Sequence, residues 1–388
     1  DATAKSYIYF SSRDAFSQSV KAQILKAGSE LIEIEIGDDY KKESPSHYFV
    51  NPQNPDDFLK LFQDIEETQN SYTDILYGWG LIPKSNSLNL QPAERDVHLF
   101  YFSLVNIVQQ LLAIKKLSEK RFVLLTNCLY KVLGSESINP SQALLLGLAN
   151  TLPQEYSVVC RNIDVDVTEQ IQQQTKSLVN EIMNHSSKDR VVCIRHNKKW
   201  VREYDKHTAN IEVKSDVLKT GGTYLIAGGL GNIGFILAKY LINFYNAKLI
   251  LAGRSDMDQP VGETQKKYSN RFKELRGLSK EIFYFKTDIT DKKHFENVIA
   301  KVIGDHGKID GVIHSAGGIG WDNFELIEDI SPEKALDIFS PKIDGAKNIY
   351  ELFKEREPDV EWVASNLASV LGGLSYSSCS SSNLYLEH

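Results

Sequence analysis

The stretch that decides the fold runs from Thr220 to Gly234: Thr-Gly-Gly-Thr-Tyr-Leu-Ile-Ala-Gly-Gly-Leu-Gly-Asn-Ile-Gly. An apolar run, Tyr224 to Ala227, leads into Gly229-x-Gly231-x-x-Gly234. Phe235 to Ile242 follows with helical spacing of apolar residues. Lys248 to Ala252 is a second apolar run, closing at Gly253-Arg254-Ser255. Strand, glycine turn, helix and strand in that order predict a dinucleotide-binding unit. Gly228, Gly229, Gly231 and Gly234 let the backbone turn tightly and approach a pyrophosphate. Asn232 and Ile233 open a helix whose free N–H groups and dipole favour the same anion. NAD-binding units place an acid at the end of the second strand; Arg254 and Ser255 stand there instead, which favours the 2′-phosphate of NADPH.

At 388 residues the chain is expected to form two domains, and 42% apolar residues suffice for buried cores. A net charge of −7 gives no basic footprint for nucleic acid. No apolar run reaches the roughly 18 residues of a membrane span, and Asp1 to Lys5 do not open a signal peptide, so a cytoplasmic protein is expected. Cys128, Cys160, Cys193 and Cys379 are widely spaced without a CxxC, and the histidines do not cluster. Reduced thiols and no metal site are the expectation.

The first half alternates strand-like and helix-like runs. Tyr7–Phe10, Leu31–Ile36, Ile75–Trp79, Arg121–Thr126 and Cys160–Val165 read as strands. Ala15–Ala27, Val97–Lys116 and Gln142–Leu152 read as helices. The pattern predicts a parallel sheet. Its early strands are followed by no glycine-rich phosphate turn, so this half reads as a nucleotide-binding fold without the nucleotide site. The polar segment from Glu203 to Thr220 joins it to the second half. There Phe283–Asp288, Gly311–Gly317 and Trp362–Asn366 read as further strands. Lys292–Gly304, Ser331–Ile338 and Pro341–Phe353 read as helices, with Pro332 and Pro341 placed in first turns. The expectation is an α/β chain of two Rossmann-like lobes with parallel sheets. Residues 1–215 form the degenerate lobe and 216–388 the cofactor-binding one.

These residues resemble the ketoreductase domain of modular polyketide synthases, within the short-chain dehydrogenase/reductase superfamily. The second half carries the resemblance in GGTYLIAGGLGNIG, LAGRS, KTDIT around Asp288, DGVIHSAGG from Asp310 to Gly318, SPKIDGAKNIYEL, and SNLASVLGGLSYSSCSSSNLYL from Ser365 to Leu386. The first half carries it in NPQNPDDF (51–58) and NPSQALLLGLANTLPQEY (139–156). The resemblance implies NADPH-dependent reduction of a β-ketoacyl group held on an acyl carrier protein, in a chain of neighbouring synthase domains. It also implies that Asp288, Ile289, Ala316 and Gly317 join the glycine turn in holding NADPH. The family's catalytic subdomain continues past the motif ending here, so the second lobe is expected to be C-terminally incomplete.

The family's chemistry uses a tyrosine, a serine, a lysine and an asparagine. Lys342 matches the lysine in its Pro-Lys-x-Asp-Gly setting, and Asn383 matches the asparagine. The tyrosine position, four residues before Asn383, holds Cys379. The serine position, thirteen residues before that, holds Asn366, with Ser365 one step earlier. A thiol ionises more readily than a phenol but reaches less far, and proton donation needs contact at about 3 Å or one bridging water. Tyr376, one helical turn from Cys379, is a conceivable substitute donor. Ala227 and Asn232 depart from the family's usual threonine and glycine. Gly318 to Trp321 and Leu371 lack the residues that mark either alcohol configuration. Two functions follow: a working NADPH-dependent ketoreductase, or a ketoreductase-like scaffold that has lost reduction. A free-standing dehydrogenase is disfavoured, because the lysine precedes the tyrosine position.

Overall fold

A parallel sheet forms wherever an apolar strand is followed by an amphipathic helix that returns the chain to the same edge, and this happens twice here. The computed structural model describes residues 5–68, 72–81, 92–118, 120–208, 217–317 and 324–388. In chain order the first half contains β1 (Ser6–Phe10), α1 (Ala15–Lys26), β2 (Glu30–Ile36), β3 (Lys41–Ser44), β4 (His47–Val50), α2 (Pro55–Glu67), β5 (Asp74–Tyr77), α3 (Pro92–Val97) and α4 (Ser103–Ala113). It continues with β6 (Arg121–Asn127), α5 (Leu144–Glu155), β7 (Val159–Val165), α6 (Ile171–Met183), β8 (Val191–Arg195) and β9 (Lys198–Val201). The second half contains β10 (Thr223–Ala227), α7 (Asn232–Tyr245), β11 (Lys248–Gly253), α8 (Gly262–Leu278), β12 (Ile282–Lys286) and α9 (Lys292–His306). It ends with β13 (Gly311–His314), α10 (Pro332–Phe353), β14 (Val360–Val363), α11 (Ala368–Leu371) and α12 (Ser377–Glu387).

Two compact units result. The first comprises residues 1–205 with 324–332 and 367–388; the second comprises 206–323 and 333–366. The expected boundary at 215 therefore differs from the packing, and residues 209–216 lie outside the described ones. The larger difference is at the C-terminus. Residues 367–388 pack with the first unit because α12 lies along α5. Gly147 on α5 allows this: a Cβ there would stand 2.1 Å from Ser381 Oγ.

The first unit is built on a nine-stranded sheet, ordered β3-β4-β2-β1-β5-β6-β7-β8-β9. Its interior pairings are parallel; the edge pairs β3–β4 and β8–β9 are antiparallel. Tyr9, Leu76, Val123 and Ile163 pack one face against Val20 and Ile24 of α1 and Leu178 and Ile182 of α6. Below that apolar layer sits a buried ion network. Arg195 Nη2 meets Asp164 Oδ2 at 2.5 Å and its Nε meets Glu136 Oε1 at 3.2 Å.

The second unit is built on a five-stranded parallel sheet, ordered β12-β11-β10-β13-β14. Helices cover both faces. Leu241 and Tyr245 of α7 and Leu275 of α8 pack one side, and Phe295, Ile299, Ile349 and Phe353 of α9 and α10 the other. Two expected helices prove to be one. α10 runs through Pro341 without a break. Its ring nitrogen cannot donate to the preceding turn, but its carbonyl is held by His314 Nε2 at 3.0 Å. The expected helix from Val97 to Lys116 corresponds to one continuous helical run from Pro92 to Ala113, in which a π-helical turn at His98–Phe102 separates α3 from α4. Among the described residues no helix is long and apolar enough to cross a membrane.

Candidate functional site

The glycine turn follows β10 in the order its sequence predicts. Gly228 has φ +76, and a Cβ there would lie 2.7 Å from the Ala316 backbone. Gly234 is buried, and a Cβ on it would lie 2.5 Å from the Gly228 carbonyl oxygen. Neither position admits a side chain, so the turn folds onto the end of β13. Ser315 Oγ secures the same junction by donating to the Ala227 carbonyl at 2.9 Å.

Gly231 is the N-cap of α7 and contributes no side chain to its first turn. The opening N–H groups of that helix are thus left for an incoming anion. Asn232 and Ile233 are exposed there. Asn232 is the first helical residue, so the left-handed backbone that would make glycine preferable is not needed. Its Oδ1 accepts from Arg271 Nη2 at 2.8 Å, while Arg271 Nη1 donates to the Leu230 carbonyl at 2.8 Å. Sequence pattern does not single out Arg271, because α8 is polar and weakly periodic.

Arg254 is exposed immediately after β11, with Ser255 beside it. The Ser255 carbonyl accepts from Tyr284 Oη at 2.8 Å. The acid that follows, Asp256, is turned away: it pairs with Lys286 at 3.0 Å and accepts the backbone N–H groups of Asp258 and Gln259. These contacts, the Lys286 hydrogen bond first, hold its carboxyl below the usual range. An exposed cation thus follows the second strand of the βαβ unit, and the neighbouring Asp256 is already paired. Asp288 Oδ1 accepts from Thr290 N and Oγ1 at 3.0 and 2.8 Å. The Ile289 carbonyl accepts from Asn348 Nδ2 at 2.8 Å, and its side chain packs where Gly345 leaves room.

Lys342 is buried on α10, and its Cε stands 3.0 Å from the point where a Cβ on Gly317 would be. Its neighbour His314 is 2% exposed. Burial pushes the imidazole down to about 4, with the Lys342 charge adding to the effect. At neutral pH His314 is therefore uncharged, its Nε2 donates to the Pro341 carbonyl, and its Nδ1 has no hydrogen-bond partner among the described residues. Ser365 and Asn366 follow β14 and are exposed. Gly318 to Trp321 lie outside the described residues.

Cys379 and Asn383 come together on α12, in the first unit. Both are buried, and Asn383 Nδ2 donates to Cys379 Sγ at 3.6 Å. The serines between and around them are interior groups. Ser381 Oγ donates to the Leu144 carbonyl and Ser380 Oγ to the Ala368 carbonyl, each at 2.7 Å; Ser378 Oγ shares a 2.7 Å bond with Tyr101 Oη. Tyr376 packs against Phe324 with ring centroids 4.5 Å apart and the rings tilted by 36°, the role of a packing aromatic.

Glu33, Glu35 and His47 place ligand atoms close together in the first unit. Their charge is already matched, since Lys21 pairs with Glu33 and Arg13 with Glu35. That favours an ion network over a metal site.

Residues 222–388 match the family model described as KR domain, and residues 5–185 match one described as beta-ketoacyl synthase-like, N-terminal. Polyketide synthase PksM of Bacillus subtilis is 28% identical over 360 residues, which cover 93% of this chain and 8% of that protein. Polyketide synthase PksL of the same organism is 32% identical over 198 residues, covering 50% of this chain and 4% of that one. The chain thus spans only a small part of these relatives. An N-terminal ketoreductase from the macrolactin assembly line has the same fold, with TM-score 0.79 at 19% identity, over 99% of this chain and 75% of that one. A multidomain structure of a keto acid-selecting NRPS module, containing adenylation, ketoreductase and pseudo Asub parts, matches with TM-score 0.84 at 19% identity, over 99% of this chain and 32% of that one. With the glycine turn after β10, the Lys342 setting on α10 and the paired N-terminal sheet in place, residues 222–388 match the KR domain family behind an N-terminal structural part, and the chain is similar to the ketoreductase domains of polyketide synthases.

Proposed function

We propose that this chain holds NADPH on its second unit and serves, in a polyketide synthase module, the reduction of a β-ketoacyl group on an acyl carrier protein to the β-hydroxyacyl form, at a rate held down by poor proton delivery. The observation that carries the reading is the turn from Gly228 to Gly234. It is closed to side chains at Gly228 and Gly234, opens a helix whose first N–H groups no side chain caps, and lies in a βαβ unit whose second strand is followed directly by Arg254. Backbone N–H groups suit a pyrophosphate, and a cation beyond the second strand suits the 2′-phosphate.

The chemistry NADPH supplies when bound is a hydride to the carbonyl carbon. Negative charge then grows on the carbonyl oxygen, and donors must be aimed at it. By family position those groups are Lys342, Asn383, Asn366 and Ser365. The family's phenol is replaced by Cys379, a shorter side chain with its sulfur engaged by Asn383. A donor short of hydrogen-bond reach forfeits much of the roughly 10²–10⁴-fold that positioned proton transfer contributes.

A second reading, a scaffold that has lost reduction, is favoured by the same two substitutions, Cys379 and Asn366. Titration with NADPH, followed by its fluorescence, separates the readings. Saturable binding that Arg254→Gln weakens for NADPH and not for NADH supports the cofactor site. Absence of any saturable binding by the native chain would favour the scaffold.

A further inference from the structure

Arg271 grips the glycine turn from outside. It sits on α8 and is half-buried. One planar guanidinium bridges two acceptors that flank Gly231: Nη1 donates to the Leu230 carbonyl and Nη2 to Asn232 Oδ1, both at 2.8 Å. The guanidinium also lies over the Phe235 ring, 5.0 Å from its centroid, which adds a second hold on the first turn of α7. Lys267, one turn earlier on α8, reaches the same Asn232 oxygen at 3.5 Å.

We propose that Arg271 is a positioning residue that fixes the turn in its phosphate-receiving shape before a dinucleotide arrives; this rests on the reading of the turn as an NADPH site. A glycine-rich segment has the most conformational freedom to lose on ordering, and order already present in the free protein lowers the cost of binding. The turn has few other restraints at this point. Gly231 N donates to the Gly228 carbonyl at 2.9 Å and Phe235 N to the Gly231 carbonyl at 3.0 Å, and Gly231 itself offers no side-chain cap. The bidentate fork supplies the missing restraint with charge-assisted bonds, which are the stronger kind. Both of its terminal nitrogens are engaged by the turn, so Arg271 acts on the part of the pocket shared by NADPH and NADH. Arg254, exposed beyond β11, serves only the 2′-phosphate.

The two residues are therefore separable. Arg271→Met is expected to weaken NADPH and NADH by the same factor, about tenfold. Arg254→Gln weakens NADPH alone. Arg271→Lys does not restore affinity, because one ammonium cannot span two acceptors in a plane. Asn232→Ala removes one acceptor, so adding Arg271→Met to it costs less than Arg271→Met costs the native chain.

The test pairs those titrations with hydrogen exchange on the cofactor-free protein. Faster exchange at the Gly231 and Phe235 amides in Arg271→Met, with β10 and β11 unchanged, supports the clamp. Unchanged exchange at those amides overturns it, whatever the titrations give. A loss of affinity for NADPH alone also overturns it, making Arg271 a reader of the 2′-phosphate. If the native chain binds neither dinucleotide while the amides still respond, the clamp stands and the NADPH reading falls.

Discussion

Asn383 donates its side-chain amide to the sulfur of Cys379 at 3.6 Å, one helical turn back on α12, and both side chains are buried. On the proposed reading, these are the positions expected to hold the family's asparagine and tyrosine. On that reading, the asparagine proposed to tune a proton relay meets a thiol in place of a phenol.

Cys379→Tyr is the direct consequence. Supplying the longer donor is expected to raise turnover of a β-ketoacyl thioester surrogate by roughly 100-fold or more, measured as NADPH oxidation. A folded Cys379→Tyr variant that binds NADPH and shows no gain would sink the catalytic reading.

The α5–α12 contact makes a stability prediction. A Cβ on Gly147 would lie 2.1 Å from Ser381 Oγ and 2.3 Å from Ser381 N. Backbone cannot yield to a methyl group as a flexible side chain does, so Gly147→Ala is expected to destabilise the first unit by about 1–3 kcal/mol through overpacking. Denaturant melts of the two chains provide the check.

His314 sets a pH dependence. Its folded pKa, about 4, lies below the ordinary 6.5 because burial opposes its charge. Below pH 6.5 the unfolded chain takes up a proton that the folded chain refuses, so stability falls as pH falls and levels off once pH passes about 4. The loss attributable to this group is about 3 kcal/mol. His314→Asn should flatten this part of the stability–pH curve; an unchanged curve would show that His314 is not the titrating group.

Arg195 holds Asp164 in the interior of the first unit, with Nη1 and Nη2 also donating to the Asp164 and Tyr130 carbonyls at 3.3 and 3.0 Å. Removing it leaves a buried carboxylate uncompensated, which costs about 3–5 kcal/mol. Arg195→Met is expected to lower the denaturant midpoint accordingly, and Arg195→Met with Asp164→Asn to lower it less.

Local pattern makes much of the fold legible. Arg121–Thr126 reads as a strand because central parallel strands are apolar on both faces, whereas Cys160–Val165 buries Arg161, Asn162 and Asp164 in hydrogen bonds that local pattern does not show. The edge hairpins β3–β4 and β8–β9 are not legible in that way. Their outer strands β3 and β9 are mostly exposed and open on adjacent lysines, and pairing to β4 and β8 makes them strands. Helix α8 escapes for a similar reason, its buried residues being confined to Ser269 and Leu275. With it goes Arg271, whose partners are about 40 residues away in the chain.

The sequence by itself determined the βαβ unit around Gly228–Gly234, the cation at Arg254, the lysine at 342 and the cysteine at 379. All of these depend on residue type at short spacing, where backbone sterics and hydrogen-bonding chemistry act locally. The tertiary structure decided what distance in the chain conceals. Pro341 lies within one helix, its carbonyl held by His314 from β13. The serine-rich run from Ser377 to Ser382 is interior because Gly147 lets α12 approach α5. The glycine turn, permissive on its own, is gripped by an arginine from another helix. In each case a polar or flexible segment takes its conformation from a partner that is remote in sequence and adjacent in space.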